Sequence, residues 1–253
     1  MGAFSEKVVL VTGGSRGIGR AIARRFADEG ATVVVHYASN EDAAADTVQS
    51  LGTGRHKALR ADLSDPDAAP SLVDALIAHL GRVDVLVNNA AVYEAHPVLS
   101  TDWSSWRASW RRTIDTNLIA VANLIHAVVP HMVDNGGGRI VNISSRGAFR
   151  GEPDHAAYGA SKAGLNSLAQ SMAKALAPHG VYVTTIAPGF VETDMAAPYL
   201  DGPGGDAIRS QSPMGRAATA DEVARVAVFL ASPGSESTTG AIVDVNGASY
   251  LRT

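Results

Sequence analysis

The chain alternates between short runs of β-branched residues and longer segments rich in alanine and leucine. Several of the short runs are apolar throughout, as expected for strands of a parallel sheet that helices cover on both faces. These runs predict seven strands, at 7–12, 32–37, 56–61, 83–88, 139–144, 181–186 and 241–246. The segments between them predict helices at about 17–30, 41–51, 66–80, 101–133, 156–178 and 219–231.

The alternation of strands and helices continues along the whole chain and indicates one α/β domain over residues 1–253. An open, doubly wound sheet with helices on both faces is the architecture typical of this order. Local signals at the predicted helix ends agree. Asn40 is expected to cap the second helix, Ser100 and Thr101 the fourth, and Gly180 is expected to end the fifth.

One stretch, residues 192–216, does not fit the strand and helix pattern. It contains four glycines and three prolines and is too long for a simple connection. Such a segment is typical either of disorder or of a functional loop that closes over a site. The sequence therefore predicts a disordered segment or a substrate lid at about 192–216.

Composition narrows the classes of protein to which the chain can belong. The formal net charge of −4 gives no electrostatic reason to expect nucleic acid or an anionic membrane as a partner. The absence of cysteine excludes disulfides, iron–sulfur clusters and thiolate catalysis, and it fits a reducing compartment. The histidines show no metal-ligand spacing, and no secretion signal or long unbroken apolar stretch is present. We expect a soluble, cytoplasmic protein without a metal or a transmembrane helix.

A glycine-rich turn, TGGSRGIG at residues 12–19, directly follows the first predicted strand and opens the first predicted helix. Gly13, Gly17 and Gly19 permit a tight turn and a close approach of the backbone to a ligand. Exposed N–H groups at a helix start favour an anion such as a pyrophosphate. The turn therefore predicts a dinucleotide site that also involves Ser15 and Ile18.

The second strand indicates which dinucleotide binds. An NAD site usually has an acidic residue at the end of this strand, but here the strand ends in Tyr37, Ala38 and Ser39. Arg16 lies in the glycine-rich turn, where a guanidinium can pair with a 2′-phosphate while Ser39 and Asn40 add hydrogen bonds. This pattern favours NADP(H), with NAD(H) as the alternative.

Several motifs in order resemble the short-chain dehydrogenases/reductases: TGGSRGIG, NNA at 88–90, Asn117, Ser145 with YGASK at 158–162, and PGFVET at 188–193. The resemblance runs from about residue 5 to 248 and is greatest to the 3-oxoacyl-[acyl-carrier-protein] reductase and glucose dehydrogenase type. It implies a Rossmann-like sheet of seven parallel strands, a nicotinamide cofactor and a homotetramer. Ala91 departs from the family pattern, which has glycine after NNA, and adds a methyl group near the expected nicotinamide.

Tyr158 and Lys162 are four residues apart on a predicted helix and therefore share one face. Reduction of a ketone needs a proton at oxygen, and a free tyrosine with a pKa of about 10 is a poor donor near neutrality. A nearby ammonium group favours the phenolate and is expected to lower that pKa. We expect Tyr158 to act as general acid in reduction and as base in oxidation.

The resemblance implies roles for the other motif residues. Lys162 is implied to bind the nicotinamide ribose, Ser145 to polarise the substrate carbonyl, and Asn117 to bend its helix and hold a proton-relay water. Alternation along the strand sends Ser144 away from the site. Further cofactor contacts are implied at the strand ends, namely Asp62, Leu63, Asn89, Ala90, Pro188, Gly189, Val191 and Thr193.

Other polar and aromatic residues are given ordinary roles. His155 is expected to start a helix, with a substrate contact as the alternative, and the tryptophans at 103, 106 and 110 have the spacing of a packing stripe. Arg146 and Arg150 are expected to be exposed to solvent, with binding of an anionic substrate as the alternative. The substrate stays open between a 3-oxoacyl thioester, a sugar and a cyclic ketone or alcohol. A non-catalytic nucleotide sensor is the alternative of another class.

Overall fold

Seven strands form one parallel sheet in the computed structural model, which describes residues 2–252. In chain order they are β1 (Val8–Val11), β2 (Thr32–Tyr37), β3 (Lys57–Arg60), β4 (Val85–Asn88), β5 (Gly138–Ile143), β6 (Val181–Pro188) and β9 (Ile242–Val245). The order across the sheet is β3-β2-β1-β4-β5-β6-β9. This order confirms the doubly wound α/β fold. The first and last residues of the predicted domain, 1 and 253, lie outside the described residues.

Helices cover both faces of this sheet. They are α1 (Gly17–Asp28), α2 (Glu41–Ser50), α3 (Ala68–Leu80), α4 (Trp103–Ile114), α5 (Ala120–Asp134), α6 (Gly147–Arg150), α7 (Ala156–Leu176), α8 (Ala197–Leu200), α9 (Gly205–Arg209) and α10 (Ala220–Ala231). Strand β1 explains the two layers, because successive side chains point to opposite faces. Val9 and Val11 pack with α1 and α10, whereas Val8 and Leu10 pack with α3, α5 and α7.

The start of α4 differs from the prediction. Asp102 caps this helix, and its Oδ1 accepts hydrogen bonds from the N–H groups of Ser104 and Ser105 at 2.9 and 3.0 Å. The prediction of Ser100 and Thr101 as caps is wrong, because both lie in the preceding turn and donate their N–H groups to the Pro97 carbonyl. A carboxylate at this position also interacts favourably with the positive end of the helix dipole.

The two other predicted helix ends are confirmed. The Asn40 side chain accepts a hydrogen bond from the Ala43 N–H at 2.9 Å at the start of α2. Gly180 lies after the short helical turn that follows α7, at a φ of 72°. This is the left-handed region that favours glycine, so the chain can turn there directly into β6.

Helices α4 and α5 run together through a π-helical segment, Asp115–Ile119, that contains Asn117. Such segments are rare and often mark functional sites. By length and composition, the whole helix from Trp103 to Asp134 is apolar enough to cross a membrane. Val128 and Met132 are fully buried against the sheet, and the core helices of soluble proteins often have this composition. The helix is therefore weak evidence for a membrane span.

The stretch at 192–216 is folded and its two ends are paired. Strand β7 (Val191–Glu192) pairs in parallel with β8 (Ala218–Thr219), and the short helices α8 and α9 lie between them. Ala196 and Leu200, inside the segment, form a small apolar cluster with Ala217, which directly follows it. The segment packs beside the carboxyl end of β6, and its closure as a lid stays a prediction.

Candidate functional site

A cleft of about 760 Å³ lies at the carboxyl ends of the strands. The strand order reverses between β1 and β4, and ligands of open α/β sheets bind at such a reversal. Every predicted cofactor-binding residue lines this cleft: Gly13, Ser15, Arg16, Gly17, Ile18, Gly19, Tyr37, Ser39, Asn40, Asp62, Leu63, Asn89, Ala90, Tyr158, Lys162, Pro188, Gly189, Val191 and Thr193.

The glycine-rich turn has a shape that side chains would destroy. Gly13 and Gly17 have positive φ angles of 61° and 51°. A Cβ atom at Gly19 would lie 2.2 Å from the Gly13 carbonyl oxygen, and one at Gly17 would lie 3.2 Å from Thr193 Cγ2 across the cleft. The start of α1 is therefore bare backbone that faces the cleft, which fits a bound pyrophosphate.

Three side chains hold the turn in place, and the sequence analysis did not single out two of them, Arg20 and Thr47. The Ser15 carbonyl oxygen accepts hydrogen bonds from Arg20 Nη2 at 2.7 Å and from Thr47 Oγ1 at 3.0 Å. Asn89 Nδ2 donates to the carbonyl oxygens of Thr12 and Gly13. Asn89 therefore fixes the turn to the end of β4 as well as lining the cleft.

His36 supports the turn from below and was also missed. Its Nδ1 accepts a hydrogen bond from the Gly13 N–H at 3.1 Å, and its Nε2 lies 3.0 Å from the Ala61 carbonyl oxygen. These partners require the neutral ring with its proton on Nε2. Burial lowers the pKa of His36, which favours this neutral form. In the sequence, the only sign of this role is a histidine at the end of an apolar run.

Arg16 is exposed at the rim of the cleft. Within the described residues its guanidinium makes no hydrogen bond or ion pair, so its donors are available to a ligand. Asn40 Oδ1 accepts a hydrogen bond from Ala43, which leaves the amide N–H groups as donors on this rim. The donor groups of Arg16 and Asn40 suit a phosphate, whose oxygens accept hydrogen bonds. The hydroxyls of a ribose would instead donate hydrogen bonds to an acidic residue.

Asp62 combines a turn role with its place in the cleft. Its Oδ1 accepts hydrogen bonds from the Ser64 hydroxyl and N–H, at 2.7 and 3.0 Å. These hydrogen bonds lower the pKa of Asp62. Asp62 therefore stabilises the turn after β3 while it lines the cleft.

Ser145, Tyr158 and Lys162 lie together at the other end of the cleft. Lys162 Nζ lies 5.6 Å from the centre of the Tyr158 ring and donates to the Ile143 carbonyl oxygen at 2.8 Å. The Ser145 hydroxyl oxygen accepts a hydrogen bond from the Gly147 N–H at 3.0 Å. Ser144 points toward α7 instead and donates to the Lys162 carbonyl oxygen.

The pKa values in this group differ from the prediction. Burial raises the pKa of Tyr158 to about 12, although the Ser145 hydroxyl opposes this effect. Burial also lowers the pKa of Lys162 to about 8. The expected lowering of the Tyr158 pKa is therefore wrong for the protein alone, because desolvation of the phenolate outweighs the hydrogen bond from Ser145, and the charge of Glu152 raises the pKa further.

Asn117 lies behind the cleft and is fully buried. Its Oδ1 accepts a hydrogen bond from the Val92 N–H at 2.8 Å, and its Nδ2 donates to the Val92 carbonyl oxygen and to Ser161 Oγ. The side chain thus joins the helix bend to the segment after β4 and to α7. It positions Tyr158 and Lys162 through α7, and the proton-relay water stays a prediction.

Aromatic rings form a wall beside Tyr158. Tyr93 stacks on His155 with ring centres 3.8 Å apart and meets the Tyr158 ring edge-on at 4.7 Å. His155 precedes the first residue of α7 and its Nε2 lies 3.1 Å from the Tyr199 hydroxyl. The prediction of a helix-start residue is confirmed, and His155 supports Tyr93 without lining the cleft itself.

Two other expectations about side chains are corrected. The three tryptophans do not form one packing stripe. Trp106 and Trp110 pack on His96, whereas Trp103 is 71% exposed. Arg146 is buried and lines the cleft, so the expectation that it faces solvent is wrong. Arg150 is exposed as expected.

Known proteins match nearly the whole chain, and the matches agree with the family that the sequence motifs resemble. Residues 13–248 match the family described as Enoyl-(Acyl carrier protein) reductase. A 3-oxoacyl-[acyl-carrier-protein] reductase of Escherichia coli is 38% identical, covering 98% of this chain and 99% of the relative. That of Staphylococcus epidermidis is 35% identical, covering 97% of this chain and 100% of the relative.

Solved structures agree with the sequence relatives. A short-chain dehydrogenase from Burkholderia cenocepacia in complex with NADP superposes with a TM-score of 0.89 at 34% identity, covering 98% of this chain and 99% of that one. A dehydrogenase/reductase from Sinorhizobium meliloti superposes with a TM-score of 0.90 at 32% identity, covering 98% and 96%. The chain belongs to the short-chain dehydrogenases/reductases.

Proposed function

We propose that the protein is an NADP(H)-dependent oxidoreductase that interconverts a carbonyl compound and its alcohol, in the manner of the 3-oxoacyl reductases. One observation carries this proposal: Ser145, Tyr158 and Lys162 lie at one end of a cleft whose other end is a glycine-rich turn beside Arg16. A sugar or cyclic alcohol is the alternative substrate. The 38% identity to a 3-oxoacyl reductase supports the first choice.

The residues of the cleft fit the cofactor. The bare backbone of the glycine-rich turn would hold the pyrophosphate, Arg16 the 2′-phosphate, and Lys162 the nicotinamide ribose. When bound, NADPH supplies the hydride for reduction. The protein then has to bind the substrate beside it, exclude water and deliver a proton to the substrate oxygen.

Two hydroxyl groups act on that oxygen. Ser145 accepts the Gly147 N–H, which leaves its own O–H free to donate to the substrate carbonyl and to stabilise the negative charge that develops there. Tyr158 donates its proton to the same oxygen, and the cationic Lys162 stabilises the phenolate that remains. In oxidation the phenolate accepts the proton from the alcohol.

The cofactor preference gives a direct test of this function. With a panel of 3-oxoacyl esters, sugars and cyclic ketones, we expect NADPH to be consumed with at least one substrate, and NADH at least about tenfold less efficiently, since a charge-assisted contact contributes roughly 1.5–3 kcal/mol. Substitution of Arg16 by Leu should remove most of this preference, whereas Arg24→Leu, on the outer side of α1, should keep it. A preference of the wild-type protein for NADH would contradict the assignment of Arg16.

The pKa of Lys162 predicts how reduction depends on pH. Lys162 is a cation below its pKa of about 8 and loses its charge as the pH rises above that value. Tyr158, with a pKa of about 12, stays protonated over the same range. The value of kcat/KM for reduction should therefore be level below about pH 8 and fall above it. An arginine side chain at this position stays charged to a pH of about 12.5, so Lys162→Arg should move the decline upward; a decline that starts at the same pH would contradict this origin.

Assembly and location are further parts of the proposal. We infer a homotetramer from the family resemblance. Phe229 on α10, which is 62% exposed, and Ile119, which is 44% exposed, are apolar side chains that such an assembly would cover. A cytoplasmic location, a lid at 192–216 and the lack of nucleic-acid or membrane partners stay predictions.

A further inference from the structure

Arg146 is held at the substrate end of the cleft by the fold itself. It directly follows Ser145, and its main-chain N–H donates to the Pro188 carbonyl oxygen at 2.9 Å, between the ends of β5 and β6. The residue is 3% exposed and lines the cleft. A charged side chain is rarely buried to this extent unless a partner compensates its charge.

The partners of this guanidinium inside the protein are neutral. Arg146 Nη2 donates to Gln211 Oε1 at 2.6 Å, and its Cζ lies 5.2 Å from the centre of the Phe190 ring. Arg150 Nη1 donates to the same Gln211 oxygen at 3.1 Å. Within the described residues no carboxylate lies within ion-pair distance of Arg146. One amide oxygen thus accepts hydrogen bonds from two cations, and it neutralises the charge of neither.

The carboxyl group of Glu152 does not neutralise both cations. Glu152 lines the same cleft, and its charge acts on Arg146 from beyond ion-pair distance. Burial raises the pKa of Glu152, so its ionised form is disfavoured relative to an exposed glutamate. Tyr93, the other titratable group close to Arg146, has its pKa raised by burial and is a neutral phenol. Two cations, Arg146 and Arg150, thus act on the single carboxyl group of Glu152, so this end of the cleft has an excess of positive charge even when Glu152 is ionised.

We propose that Arg146 is a specificity-determining residue that selects carbonyl substrates bearing a carboxylate, which completes the charge pair inside the cleft. This inference rests on the proposed function, and within it favours a free oxo acid over the neutral 3-oxoacyl thioester as the substrate. A guanidinium binds a carboxylate through two parallel hydrogen bonds, which would orient the keto group toward Ser145 and Tyr158. A neutral ester or thioester oxygen can accept a hydrogen bond but leaves the buried charge without a counter-charge.

Matched substrates test this directly. The wild-type protein is given NADPH with acetoacetate or 4-oxopentanoate and, separately, with the methyl ester of each. We expect kcat/KM to be at least about tenfold higher for the acids. Arg146→Met should lower kcat/KM for the acids by about 30-fold or more, as expected for loss of a buried charged partner, and should leave the esters within about threefold.

A matched control is Arg111→Met, since Arg111 lies on the outer surface of α4 with 83% of its side chain exposed. In this variant, the ratio of kcat/KM for the acid to kcat/KM for the ester should equal the wild-type ratio. If Arg146→Met does not fold, inhibition of the wild type by pentanoate should be at least about tenfold stronger than inhibition by pentanamide. Equal inhibition, equal turnover of acid and ester, or an unchanged ratio in Arg146→Met would overturn the inference alone. Absence of turnover with every carbonyl compound would overturn the proposed function together with it.

Discussion

Replacement of Tyr158 by Phe should lower kcat for carbonyl reduction by about 10²- to 10⁴-fold, the range that general acid catalysis supplies. The phenol oxygen is the group beside Ser145 that can deliver a proton to a substrate in the cleft. Phe keeps the ring that packs edge-on against Tyr93, so the shape of the site should survive. Steady-state rates with NADPH and a reducible substrate measure the effect.

The binding of NADP(H) should change little in the same variant. The predicted cofactor contacts at the glycine-rich turn lie at the far end of the cleft, and loss of one neutral hydrogen bond is worth at most about tenfold in affinity. Tyr182→Phe is the matched control, because Tyr182 lies at the start of β6 and packs on Arg139, away from the cleft. Turnover that persists in Tyr158→Phe would contradict the assigned mechanism.

This pair of measurements also separates an enzyme from a nucleotide sensor. A sensor needs the glycine-rich turn but has no use for a proton donor, so Tyr158→Phe would leave its cofactor binding and its inactivity equally unchanged. The burial of Lys162, whose Nζ donates to the Ile143 carbonyl oxygen, is costly for a residue without a role. That cost favours the catalytic interpretation.

Much of the fold followed from local sequence patterns. The strands of a parallel sheet are apolar on both faces, so apolar runs such as VVLV and TVVVHY predict strands directly from the sequence. Asn40 and Gly180 were predicted correctly because capping depends on neighbours three or four residues away. Tyr158 and Lys162 are similarly local, since four residues bring two side chains onto one helix face.

The features that were missed depend on contacts between distant parts of the chain. His36 reaches the glycine-rich turn 23 residues away in sequence, and Arg146 meets Gln211 across 65 residues. The sequence gives no measure of burial for a single polar residue, so Arg146 was expected in solvent. The pKa of Tyr158 was misjudged for the same reason, because the proximity of Lys162 is visible in the sequence and the loss of solvent is not.

The second large effect concerns the glycine-rich turn: Gly19→Ala should weaken NADP(H) binding by about tenfold to hundredfold. The new Cβ would lie 2.2 Å from the Gly13 carbonyl oxygen and 2.6 Å from Asn89 Nδ2. Neither neighbour can move freely, because Asn89 Nδ2 bonds the carbonyl oxygens of Thr12 and Gly13. Overpacking of this kind costs about 1–3 kcal/mol, and a shift of the turn moves the N–H groups that would face the pyrophosphate.

Fluorescence titration with NADPH measures the affinity, and thermal unfolding separates a local shift of the turn from loss of the fold. Gly204→Ala is the matched control, because a Cβ there meets no atom within 4 Å and the backbone has no positive φ. Its affinity and unfolding temperature should equal those of the wild type. If Gly19→Ala also binds NADPH with unchanged affinity, the pyrophosphate does not lie against this turn, and the polarity proposed for the cleft, with phosphates at Gly19 and chemistry at Tyr158, is wrong.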